Sequence, residues 1–285
     1  MTAWVWLNGG LVEENAAAVF ALDRGLLHGY GLFETMRSYG GRVFRIEQHY
    51  RRLAEGASTI HIELPLSLQE LRSAIDALLE RNALPDARIR LTVTAGPAPQ
   101  QSEAASPSAL LVAAPLTNYA PELYERGMSA VTSAIRRNEM SPLSGVKSLN
   151  YLDNLLAREE ALRRGADHAI LLNTRGLVAE GSSSNVFIVD GGTLLTPDLA
   201  SGALPGITRA AVIETAPQAG LTVREVEVSP ETLAGAEEAF LTGSVMGVMP
   251  LTRLDGAPIG GGRPGPKTAL LRRLYVDIVE RETAR

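Results

Sequence analysis

With 285 residues, 45% hydrophobic and 21% charged, the chain has the balance of a globular protein with room for two domains and a buried core. The net charge of −5 argues against a basic nucleic-acid surface, and the absence of cysteine excludes disulfides, thiolate metal sites and cysteine nucleophiles. Four scattered histidines lack the spacing of a metal-binding helix, the N-terminus has no signal-peptide pattern, and no stretch reaches the ~20 apolar residues of a membrane helix; a cytoplasmic protein without metal, membrane or nucleic acid is expected.

In chain order, the first part alternates strands with helices. Strands are predicted over Trp4 to Asn8 and Leu32 to Tyr39, the latter turning at Gly40-Gly41 into Arg42 to Ile46. Gln48 to Ala57 reads as helical. Ser67 to Asn82 reads as a helix because Ser67 and Glu70 form a capping box ahead of the Leu68, Leu71, Ile75, Leu78, Leu79 stripe. Arg88 to Ala95 and Ala109 to Ala114 read as strands around a polar loop, Gly96 to Pro107. Residues 115–121 are the expected linker, dividing a smaller N-terminal domain (1–114) from a larger C-terminal one (122–285). Beyond it come a strand (Met128 to Ile135), a loop through Pro142 and Gly145, and a helix from Tyr151 to Arg164 stopped by Gly165. Strands at Ala169 to Leu172, Ser184 to Val189 and Thr193 to Leu195 precede a helix over Ile207 to Ala216. A strand (Thr222 to Val228), a helix entered at Ser229-Pro230, a strand (Ala239 to Leu241) and a last helix from Pro266 complete the reading. The alternation points to two α/β domains with a site between them.

Lysine is scarce: only Lys147 and Lys267 among 27 basic residues. Arginine can supply positive charge, but only a primary amine forms a Schiff base. Gly260 to Gly265 matches a dinucleotide fingerprint on paper, yet it follows no convincing strand and contains Pro264, while Pro266 interrupts a near-Walker loop; Lys267 is then an ordinary helix-start residue. His49, beside Arg51 and Arg52, reads as structural. Ser144 to Tyr151 is different, placing Lys147 before a helix with a tyrosine four residues on. Glu180 to Asn185 sets an acid before a small-residue turn, Pro205 to Arg209 opens a helix with bare N–H groups, and Thr242-Gly243-Ser244 adds small donors. An amine, an acid, a phenol and a phosphate cradle match the roles that pyridoxal 5'-phosphate (PLP) requires.

These motifs resemble the class IV (fold type IV) aminotransferase family, which includes branched-chain aminotransferases, D-amino acid aminotransferases and aminodeoxychorismate lyases. The likeness runs from Trp6-Leu7-Asn8-Gly9 through Asp23-Arg24-Gly25, Gly31 to Arg37, His49 to Leu53, Lys147 to Tyr151, Glu180 to Phe187 and Gly206 to Arg209. It implies a two-domain α/β (α+β) fold of the D-amino acid aminotransferase-like type, a cofactor cleft between domains, and a homodimer. It further implies Lys147 as the Schiff-base and catalytic residue, Glu180 as partner of the pyridine nitrogen, and Tyr151 at the ring hydroxyl. Arg52, Ile207, Thr208 and Ser244 would hold phosphate, with Phe33, Arg37, His28 and Arg90 toward a small amino- or keto-acid substrate.

The substrate marks are mixed. Gly96 to Gln101 lacks the arginine–histidine pair of D-amino acid aminotransferases. Phe33 to Arg37 reads F-E-T-M-R where branched-chain enzymes usually show F-E-G-I-R, although Arg90 falls where those enzymes place a carboxylate-binding arginine. F-E-T-M-R, Arg136-Arg137-Asn138 leading to Ser141-Pro142-Leu143, and Ser244 to Pro250 are most similar to bacterial aminodeoxychorismate lyases, which release 4-aminobenzoate and pyruvate from 4-amino-4-deoxychorismate. The leading expectation is therefore a lyase, the alternative an amino-acid transaminase working on branched-chain L- or D-amino acids with a 2-oxo acid acceptor. A non-catalytic PLP- or nucleotide-binding protein is the distant third.

Overall fold

The computed structural model describes residues 3–99, 106–117 and 119–284. The chain forms two compact units: Met1–Thr117 with Val146–Asn150 and Glu282–Arg285, and Asn118–Gly145 with Tyr151–Arg281.

The first unit contains β1 (Trp4–Leu7), β2 (Gly10–Glu13), α1 (Arg24–His28), β3 (Gly31–Tyr39), β4 (Arg42–Val43), α2 (Ile46–Thr59), α3 (Leu68–Asn82), β5 (Ala87–Thr94) and β6 (Ser108–Pro115). Its described strands form an antiparallel sheet in the order β2-β1-β6-β5-β3-β4. Alternation along β3 sends Leu32, Glu34, Met36 and Ser38 to the core face, where α2 and α3 pack. The α2 stripe of Ile46, His49, Leu53 and Ala57 is buried, and so is the α3 stripe of Leu71, Ile75 and Leu78. With Trp6, Ile89, Leu91 and Leu111 they make one core, each large side chain contributing roughly 1.5–3 kcal/mol on burial. The expected capping box is present: the Ser67 hydroxyl accepts from Glu70 N–H at 3.2 Å, and the Glu70 carboxylate accepts from Ser67 N–H at 2.7 Å.

The second unit holds α4 (Pro121–Arg126), β7 (Met128–Arg137), α5 (Leu152–Arg163), β8 (His168–Asn173), β9 (Val178–Gly181), β10 (Asn185–Asp190), β11 (Thr193–Pro197) and α6 (Ile207–Thr215). It continues with β12 (Thr222–Val226), α7 (Pro230–Ala234), β13 (Glu238–Gly243), β14 (Gly247–Leu254), β15 (Ala257–Pro258) and α8 (Pro266–Thr283). Its described strands order as β12-β11-β10-β13-β14-β7-β8-β9, with β15 paired to β14. The sheet is mixed: β7 is parallel to both β14 and β8, whereas β13 is antiparallel to β10 and β14. Buried Phe187 and Phe240, directly paired on β10 and β13, stack at 4.9 Å.

Several elements depart from the sequence reading. β2, α1, β9, β14 and β15 were not expected, and the strand after Gly41 is only Arg42–Val43 because Arg45, in left-handed conformation, starts α2 at Ile46. Of the expected linker, Pro115 ends β6 and Pro121 begins α4. Lys147, placed by chain position with the C-terminal part, groups with the first unit, since residues 146–150 hydrogen-bond to β3. The polar loop expected over Gly96 to Pro107 lies outside the described residues at 100–105.

Candidate active site

The lysine loop is stitched to β3 by backbone. Phe33 N–H donates to the Lys147 carbonyl at 3.0 Å, Leu149 N–H donates to the Gly31 carbonyl at 2.9 Å, and Ser148 bridges Leu32. The Lys147 amine then lies 4.4 Å from the centroid of the Phe33 ring, and the Arg90 guanidinium reaches the same ring at 4.0 Å. This follows from register: Phe33, Thr35 and Arg37 lie on one face of β3, opposite Thr92, Arg90 and Arg88 of β5. Ring–cation attraction holds both cations against one buried phenyl. Arg37 stacks on Tyr39 at 4.4 Å. His28, the last residue of α1, is exposed, and among the described residues no contact brings it to Lys147.

On the core side of β3 lies an ionic cluster. Glu34, 1% exposed, accepts from Arg52 through Nε at 2.8 Å and Nη2 at 2.6 Å, and pairs with His49 Nδ1 at 2.7 Å. Burial alone would raise the Glu34 carboxyl, but the Arg52 charge and the His49 hydrogen bond overcome it and hold the pKa at about 2. Burial also pushes His49 down; Glu34 opposes this, while the Arg52 and Lys147 charges reinforce it. His49 is thus neutral at pH 7 and donates from Nδ1 to a charged carboxylate.

The second unit supplies the remaining candidates. Glu180 ends β9 with its carboxylate buried, one oxygen accepting Leu204 N–H at 2.9 Å and the other 3.6 Å from Arg137 Nε. Tyr151, the residue preceding α5, donates its hydroxyl to the Ser182 carbonyl at 3.0 Å, and Asn154 donates to the same oxygen at 3.0 Å. Ile207 and Thr208 open α6 after Gly206, which has no side chain to cap the exposed N–H groups. Only glycine fits at 206: a Cβ would collide with the Asn185 side-chain oxygen, while the Asn185 amide donates to the Leu204 carbonyl at 2.8 Å. Ser244 lies half-buried in the turn from β13 to β14. Ser182 Oγ and Thr242 Oγ1 are buried with no hydrogen-bond partner among the described residues. A second buried histidine, His168, meets Ser184 Oγ at 2.9 Å, and burial, helped by Arg158, lowers its pKa to about 4.

The geometry therefore brings Lys147, Phe33 and Arg90 together in the first unit and sets Arg52 on Glu34 beneath them. In the second it sets Glu180 against Arg137 and the Leu204 N–H, with the Asn185 amide on the Leu204 carbonyl. The sequence reading missed Glu34, though a signal existed: an acid at the inward phase of a strand needs a buried partner. It noted Arg137 and Asn185 only as parts of motifs and gave neither a role at Glu180.

Comparisons with known proteins agree on the family. The Amino-transferase class IV family matches residues 31–254. The chain is 37% identical over 278 residues to a putative branched-chain-amino-acid aminotransferase of Methanocaldococcus jannaschii, covering 96% of each, and 34% identical to a D-alanine aminotransferase of Bacillus licheniformis, covering 99% of each. Its fold is similar to the crystal structure of the branched-chain amino acid aminotransferase from Thermobaculum terrenum in its PLP form, with TM-score 0.86, 30% identity and coverage of 99% of this chain and 95% of that one.

Proposed function

The chain belongs to the class IV aminotransferase family, and from that premise we propose that it is a PLP-dependent amino-acid transaminase that moves an amino group between a branched-chain amino acid and a 2-oxo acid. The observation that carries this reading is the fixing of Lys147, one of two lysines in the chain, on β3 with its amine against Phe33. The relatives support the transaminase, formerly the alternative, over the lyase that the motifs favoured.

The residues fit the cofactor. Buried hydroxyls at Ser182 and Thr242, an uncapped helix start at Ile207-Thr208 and a buried carboxylate at Glu180 are polar groups suited to an anionic, nitrogen-containing ring. When bound, PLP supplies an aldehyde for amine capture and a ring that accepts the electrons left at the substrate α-carbon. Lys147 provides the amine and moves the α-proton. Glu180, kept in place by Leu204 N–H and Arg137, would serve the ring nitrogen of the bound group and keep it protonated. Tyr151 meets the ring hydroxyl. Arg52, the start of α6 and Ser244 bind phosphate, and Arg90 with Arg37 receives a substrate carboxylate beside Phe33; His28 completes the substrate set.

Exposed apolar side chains support assembly as a homodimer. The first unit presents Val19, Phe20, Leu22, Leu26 and Leu27, and the second presents Leu152, Leu155 and Leu156 on α5. Among the described residues no helix is long and apolar enough to cross a membrane.

The test is a half-reaction. The PLP-loaded protein is mixed with L-leucine, L-valine, L-isoleucine or D-alanine without a 2-oxo acid, and the near-visible band is followed. Conversion by the branched-chain L-amino acids to the aminated cofactor supports the proposal. Conversion by D-alanine alone moves the substrate assignment to D-amino acids. No conversion, with 4-aminobenzoate formed from 4-amino-4-deoxychorismate, returns the lyase to first place.

A further inference from the structure

Of the Glu34–His49–Arg52 cluster only Arg52 has a role in the reaction as set out above, yet among the described residues of the first unit the cluster is the most completely buried ionic group. Glu34 and His49 are 1% and 2% exposed, and the Arg52 side chain is 9% exposed. Removing such groups from water costs several kcal/mol per ion by general experience, and a buried ion pair returns little net stability over apolar side chains of the same volume. What the arrangement does deliver is geometry. Two guanidinium nitrogens of Arg52 lie on the two oxygens of Glu34, and because the group is planar this fixes the direction of its third nitrogen. Glu34 is itself held: its chain is clamped in the β3–β5 ladder, and His49, one helical turn from Arg52 on α2, donates to the oxygen that also receives Arg52 Nη2.

We propose that Glu34 and His49 are positioning residues for Arg52: Glu34 aims the guanidinium, His49 holds Glu34, and together they set the affinity for the cofactor phosphate without touching the cofactor. The inference rests on the assignment of Arg52 to phosphate in the reading above. A fixed donor array binds an anion without first losing conformational freedom, so loosening the array weakens anion binding selectively.

The experiment compares PLP with pyridoxal, which has the aldehyde and ring but no phosphate, by titrating each into cofactor-free full-length protein and following the near-visible band. Glu34→Gln keeps volume and one hydrogen bond but removes the charge; its Kd for PLP is expected to rise roughly tenfold or more while that for pyridoxal stays within about twofold. His49→Leu shows the same selective loss. His49→Asn, whose side-chain amide can replace the Nδ1 donor, restores PLP binding to near the wild-type value. This pair keeps the test sound if Glu34→Gln does not fold. Equal losses for PLP and pyridoxal, or no rescue by asparagine, would overturn the positioning role. Wild-type protein that develops no band with either compound is a different result, since it removes the PLP reading itself and this inference with it.

Discussion

The two units prepare their share of the chemistry in opposite ways. The first uses long side chains: Lys147 on a loop bonded to β3, Arg90 on β5 and Arg52 on α2 are each steadied by a ring or a carboxylate. The second uses short side chains and backbone: Glu180 is held by an N–H group of the segment before α6, Tyr151 by a carbonyl, and the helix start is open because Gly206 offers nothing to close it. Loss of a side chain in the first should remove a step, whereas loss in the second should slow one.

The strongest test of that contrast is Lys147→Ala. Turnover should fall by roughly 10⁴-fold or more, beyond what any single change in the second unit causes, as read by steady-state amino transfer. Activity within tenfold of wild type would end the assignment. Glu180→Gln comes next: kcat should drop by roughly 10²–10³-fold while the near-visible PLP band persists, because the carboxylate acts on the electronics of the ring and not on its attachment.

The buried histidines sharpen the comparison through pH. His168 has a folded pKa of about 4, below its ordinary 6.5, so the unfolded chain takes up a proton first as pH falls. The stability this contributes is complete above about pH 6.5 and is lost toward pH 4, at most about 3 kcal/mol. His49 is shifted the same way, whereas the Glu34 contribution is present above about 4.5 and is lost only as pH falls toward 2. Thermal melts between pH 7 and 4.5 should therefore show falling stability in the wild type and a shallower fall in His168→Asn; parallel slopes would count against a neutral buried His168. The smallest effect is expected for Tyr151→Phe, a loss of about 1 kcal/mol, or five- to tenfold in kcat, with PLP retained.

Much of this was legible in the sequence where local chemistry is decisive. The scarcity of lysine singled out Lys147, Ser67 and Glu70 announced their cap, and Pro266 marked the start of α8. What stayed hidden depended on pairing across the chain. β14 carries Pro250, which speaks against a strand, yet its ladder with β7 begins only at Leu251, so the missing N–H is tolerated. α1 is five residues long and has no period to detect; what anchors its start is the Asp23 carboxylate, which accepts from Gly25 N–H at 2.6 Å and from the Thr94 hydroxyl at 2.7 Å. His49 reads from the sequence as structural, and its partner Glu34 lies on another element, where only β3 alternation points to it.

The stitching of Lys147 to Gly31, Leu32 and Phe33 also bears on how the protein is made. Residues 1–117 leave the ribosome first, but the edge of β3 that will hold the lysine loop waits until residues 146–150 arrive, and α8 returns to the first unit only at Glu282. Such distant pairing is slow to form. A nascent chain therefore carries a Lys147 that is not yet fixed, and its placement beside Phe33 arises late in synthesis, when the long-range hydrogen bonds close.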